Sequence, residues 1–76
     1  MDENKVKLTF GLTIKQIRIS RSLSQEQLAE ITGLHRTYIS EVERGDRNLS
    51  LINIIKLCNA LQIKPSQFFK SFEEGL

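Results

Sequence analysis

Between Ser24 and Gly45 the chain reads SQEQLAEITGLHRTYISEVERG, a run rich in amide, hydroxyl and guanidinium side chains. Gln25, Arg36 and Arg44 bring donors, Glu41 brings an acceptor, and Thr37 and Ser40 do both. Such groups bind; they do not by themselves react. The chain has one histidine and one cysteine, so neither a zinc site nor an internal disulfide can be assembled from them. His35 has no serine, cysteine and carboxylate around it at a spacing that makes a nucleophile and base, and no Gly-rich phosphate loop is present. No enzyme activity, metal or cofactor is expected. Cys58 falls on an apolar helix face and reads as a core residue.

The elements that must position these groups follow from apolar spacing and caps. Phe10, Ile14 and Ile17 recur at helical spacing and predict helix 1 over roughly 7–21. Ser24 followed by Gln27 is a capping box that opens helix 2, which ends near Thr32 where Gly33 can take a positive φ and Leu34 plugs the turn. Helix 3 begins at His35 or Arg36 and stops at Arg44-Gly45, with Ile39 and Val42 inward. Ser50 caps helix 4, in which Leu51, Ile54, Ile55, Cys58 and Leu61 form one side, widened by Ile52 and Leu57. It reads as the most buried element. Pro65 opens helix 5, where Phe68, Phe69 and Phe72 share a face. No strand-like alternation, repeat or low-complexity linker interrupts this plan. The 76 residues therefore predict a single all-α domain of five helices, with its core in 7–72.

Composition narrows the classes further. Hydrophobic residues make up 39% and charged residues 26%, a globular balance. No run approaches a membrane span and the opening MDENKVKLTFG is no signal peptide, so a cytoplasmic protein without a membrane partner is expected. The formal net charge of +2 is too small to argue for nucleic acid alone, although Lys5, Lys7, Lys15, Arg18 and Arg21 concentrate positive charge toward the front.

A short helix, a glycine turn and a second short helix on a thin apolar stripe is a helix-turn-helix outline, whose second helix can enter a DNA major groove. Here the string Gln25, Glu26, Leu28, Ala29, Gly33, Leu34, Ile39, Ser40, Val42, Glu43 and Gly45 resembles the xenobiotic-response-element type of helix-turn-helix regulators, the group of the lambdoid repressors. HRTYISEVERGDRN is similar to the recognition helix and following loop of restriction–modification controller proteins. The resemblance spans residues 10–72 and implies a lambda-repressor-like fold. It also implies a transcriptional regulator that binds a palindromic double-stranded operator as a homodimer. A phage-type or chromosomal repressor, or an antitoxin-like interaction module, stays open beside the controller reading.

The residues fit those roles physically. Arg36 and Thr37 lie at the exposed start of helix 3, where Arg can fork onto guanine and a Thr methyl can meet thymine; Ser40 and Glu41 follow one turn on as further base contacts. Gln25, Tyr38, Arg44, Arg47 and Asn48 are expected on phosphates, and His35 near one. Residues 35–48 carry three acids against three arginines, so geometry must count for more than bulk charge. Glu43 shares the inward face with Ile39 and needs a cation, for which Arg18 on helix 1 is the donor; the resemblance implies the same pair. Ile52, Leu57, Phe68, Phe69 and Phe72 offer apolar surface for the dimer.

Overall fold

The computed structural model describes residues 1–76 as five helices and no strand: α1 Glu3–Ser20, α2 Gln25–Thr32, α3 Arg36–Arg44, α4 Leu51–Ala60 and α5 Pro65–Gly75. Helix α1 starts one turn earlier than apolar spacing alone predicts, because the Asp2 carboxylate accepts from the Lys5 amide at 3.1 Å and caps it. The α2 capping box forms in both directions, with the Gln27 amide donating to Ser24 Oγ at 3.0 Å and the Ser24 amide donating to Gln27 Oε1 at 2.8 Å. Ser50 caps α4 through the Asn53 amide at 3.1 Å.

Phe10, Ile14, Leu28, Ala29, Ile39, Val42, Leu57, Cys58, Leu61 and Phe68 form one core. Helix α1 is its spine, packed on α3 and α5, while α2 bridges α3 and α4. Phe10 meets Phe68 and Phe72 edge to face, with ring centroids 5.0 and 5.8 Å apart, which ties α5 to α1.

Two expectations need correction here. Helix α4 is not the most buried element: it buries Leu57 and Cys58, whereas α1 buries Phe10, Gly11, Thr13, Ile14 and Arg18. On α4 the inward stripe is narrower than the sequence suggests, leaving Leu51, Ile52 and Ile55 exposed. Leu57 and Phe68, expected at a dimer contact, are both fully enclosed in the monomer's own core and have no surface to offer a second chain. The core claims them because α1 and α2 cover the sides of α4 and α5 that a bare helical pattern cannot assign.

Candidate nucleic-acid interface

The α2–α3 turn is built by hydrogen bonds that stop one helix and aim the next. Gly33 takes φ +75, the left-handed conformation that ends α2, and its amide donates to the Ala29 carbonyl at 2.8 Å. The Thr32 hydroxyl donates to the Leu28 carbonyl at 2.8 Å and accepts from the Leu34 amide at 3.2 Å, locking the exit. His35 is the N-cap residue of α3 but its side chain makes no capping bond. The first-turn amides of α3 therefore lack a side-chain acceptor, and a helix N-terminus in that state attracts an anion.

Beneath this turn lies the ion pair. Arg18 Nε donates to Glu43 Oε2 at 2.6 Å and Nη2 to Oε1 at 3.0 Å, while Nη1 donates to the Leu23 carbonyl at 2.8 Å. The side chains are 10% and 3% exposed, so this is a bidentate buried pair. It joins α1, the α1–α2 turn and α3. Gln25 Nε2 adds a bond to Glu43 Oε1 at 3.0 Å and brings in α2. No buried side-chain polar atom is left without a partner. The expectation for Gln25 thus gains a second side: one of its amide hydrogens points inward to hold the scaffold.

Gly11 is the residue that sequence reading passed over. A Cβ there would run into the Val42 carbonyl oxygen of α3, so only glycine lets α3 lie this close on α1. A glycine inside a strong helical pattern was the available signal, since it costs about 1 kcal/mol relative to alanine and needs a packing reason. Gly45, at φ +82, ends α3 and would likewise strike Leu8 if it carried a side chain.

On this base α3 turns Ile39 and Val42 inward and leaves Arg36, Thr37 and Arg44 exposed, with Ser40 and Glu41 half-buried beside them. Arg44 is steered by Ser40 Oγ at 2.9 Å and by Asp46 at 3.0 Å. Arg47 comes back over the helix from the following loop: Nη2 and Nε donate to Glu41 Oε1 at 3.0 and 3.2 Å. Its guanidinium sits 5.0 Å from the centroid of the Tyr38 ring. The Tyr38 hydroxyl accepts from Asn53 Nδ2 of α4 at 3.1 Å, which leaves its own proton free to donate outward. Asn53 had no signal in the sequence, because nothing in its spacing relates it to Tyr38. Asn48 is exposed in the same loop. Leu34, His35, Thr37, Tyr38, Glu41 and Arg47 together line an open depression of about 400 Å³. All the expected base and phosphate residues except Gln25 thus belong to α3 or the loop after it.

No helix is long and apolar enough to cross a membrane, and no group of three or more metal-ligating side chains converges. Cys58 is enclosed in the core, and burial pushes its thiol pKa up from the usual range.

Comparison with known proteins points the same way. A family model described as helix-turn-helix matches residues 14–68. The chain is 54% identical over 63 residues to control protein C.BamHI of Bacillus amyloliquefaciens, covering 82% of this chain and 78% of that one. It is 40% identical over 72 residues to control protein C.MunI of a Mycoplasma species, covering 93% and 97%. Among solved structures it is similar to the restriction–modification controller protein C.Esp1396I, solved as a tetramer with its natural 35 base-pair operator. That match has 31% identity, a TM-score of 0.86 and 92% of each chain covered.

Proposed function

The chain belongs to the helix-turn-helix family, with restriction–modification control proteins among its relatives, and from that premise we propose that it regulates transcription by binding a palindromic operator as a homodimer, in the manner of a controller of a restriction–modification operon. The observation that carries this reading is the outward face of α3, where Arg36 and Thr37 stand exposed beside an uncapped helix start. The first-turn amides receive a phosphate, which sets the helix in register; Arg36 then forks onto a guanine edge and Thr37 packs on a neighbouring base. Gln25, Tyr38, Arg44, Arg47 and Asn48 hold the backbone on either side.

One α3 is nine residues long, about 13 Å at the helical rise, and reads only a few base pairs. A second copy related by a two-fold axis doubles the site, with half-sites about 34 Å apart. The exposed Leu51, Ile52 and Ile55 of α4 and Phe69 of α5, with the half-buried Phe72, supply the apolar contact for it.

The test is selection from a random-sequence duplex library followed by titration of the enriched duplex and a scrambled version at two salt concentrations. An inverted repeat with strong preference over scrambled DNA is the expected result. Equal affinity for both, with a steep salt dependence alone, would leave only non-specific binding and overturn the reading.

A further inference from the structure

Glu41 is an acidic side chain on a face that otherwise suits an anion, and its bond to Arg47 is a poor candidate for stabilising the fold. The two side chains are 30% and 49% exposed, and pairs that wet contribute little to stability. What the pair does fix is a direction. Both Arg47 bonds go to a single oxygen, Oε1 of Glu41, so the Nη1 edge of the guanidinium stays free while the group is held over the Tyr38 ring. The far side of that ring is fixed in turn, since Asn53 reaches across from α4 to the hydroxyl. A long arginine from a loop is thereby given one position before any ligand arrives, which lowers the ordering cost of using it.

From this we infer that Glu41 is a positioning residue, rather than a base contact, and that Arg47 and Tyr38 form one preset recognition unit held by Glu41 from α3 and by Asn53 from α4. The inference rests on the DNA-binding reading for its consequence but not for its geometry. By holding Arg47 in one place the carboxylate keeps it from reaching phosphates at mismatched sites, so through Arg47 it raises discrimination while lowering affinity for DNA in general. Removing it frees Arg47 to bind any phosphate in reach. Discrimination then falls as non-specific affinity rises.

The chain has one tyrosine and no tryptophan, so intrinsic emission of the free protein reports on Tyr38 alone. Arg47→Ala sets the signal of an uncovered ring, and Glu41→Ala is expected to move the parent signal toward it. Parent-like emission from Glu41→Ala overturns the inference whatever happens with DNA. On the selected and scrambled duplexes, Glu41→Ala should bind scrambled DNA more tightly than the parent and narrow the preference by about threefold to tenfold, toward the lower end of the coupling found between contacting residues. In the Glu41→Ala, Arg47→Ala double variant the preference should fall no further than in Arg47→Ala alone. Additive losses would make Glu41 an independent base reader and an unchanged preference would make it a bystander; either result overturns the inference. A parent chain with no preferred duplex removes the regulator reading and the claimed consequence together, while the emission data still decide whether Glu41 holds Arg47.

Discussion

At the scale of single residues, Arg36 and Arg44 carry the same charge but different expected duties. Arg36 is exposed on the first turn of α3, beside the uncapped amides, whereas Arg44 is at the far end and already directed by Ser40 and Asp46. Arg36→Ala should lose about 1–3 kcal/mol per half-site on the selected duplex and relax preference at one base pair. Arg44→Ala should instead weaken binding to all sequences alike and reduce the salt slope by about one unit per contact. Titrations on selected and scrambled duplexes at two salt concentrations separate the two, and an equal loss on both duplexes for Arg36→Ala would remove its base-reading role. Arg18 belongs to a different class of residue, since its guanidinium satisfies Glu43 and the Leu23 carbonyl in the interior. Arg18→Ala leaves the buried Glu43 carboxylate with Gln25 but no cation and takes the donor from the Leu23 carbonyl, and should cost about 3–5 kcal/mol of stability, read as a drop in the denaturant midpoint. A midpoint equal to the parent's would mean that water takes over the guanidinium's bonds.

At the scale of elements, the placing of α3 depends on Gly11. Alanine there gains about 0.5–1 kcal/mol of helix propensity but must push α3 off the α1 backbone, and such overpacking costs about 1–3 kcal/mol. Gly11→Ala is therefore expected to be less stable by denaturation and to bind the selected duplex more weakly even where it is fully folded, because the recognition helix is displaced. Greater stability in that variant would refute the close-approach argument. The opposite sign is expected where helices α1 and α4 end. Ser22 and Gln62 sit at φ +58 and +54 without being glycine, and the Leu23 and Ile63 amides fold back to the Arg18 and Cys58 carbonyls at 3.1 Å to close each helix. Gln62→Gly relieves the left-handed strain and should stabilise the fold by about 0.5–1 kcal/mol, seen as a raised midpoint with unchanged DNA affinity.

At the scale of the whole molecule, the proposed two-fold contact draws on the exposed Leu51, Ile52 and Ile55 of α4 and Phe69 of α5. Ile52 is 65% exposed and outside the core, so Ile52→Asp should leave the fold and its helical circular dichroism intact. The same substitution places a charge in the proposed two-fold contact, where it lacks a partner. Sedimentation of the two chains at matched concentrations is expected to show a dimeric parent and a monomeric variant. A parent that stays monomeric at high micromolar concentration rejects the dimer, and a variant that dimerises as well as the parent moves the contact elsewhere. Loss of dimer should also cost far more operator affinity than loss of any one phosphate contact, since the second half-site is then bound separately.

Much of this was written in local sequence. The capping box at Ser24, the left-handed stop at Gly33, the cap at Ser50 and the proline at 65 each act through neighbours a few residues away, so five helices and the α2–α3 turn were legible without any long-range contact. The Arg18–Glu43 pair was legible too, because a carboxylate on an inward face requires a cation, Arg18 adjoins the apolar Ile17 on helix 1, and the family resemblance implies the same pair. Local pattern failed wherever the outcome depended on which neighbour arrives. Leu57 and Ile52 are equivalent apolar letters on one helix, yet one is sealed by the core and the other faces outward. Phe68 and Phe69 divide in the same way, because the ring of Phe10 meets the former and only the edge of the cluster receives the latter. The closure of Arg47 onto Glu41 and Tyr38, and the reach of Asn53 to that ring, were likewise decided by tertiary structure alone. Helix periodicity states that a face is apolar or polar; only the packing of α1 against α3 and of α2 against α4 determines what that face touches.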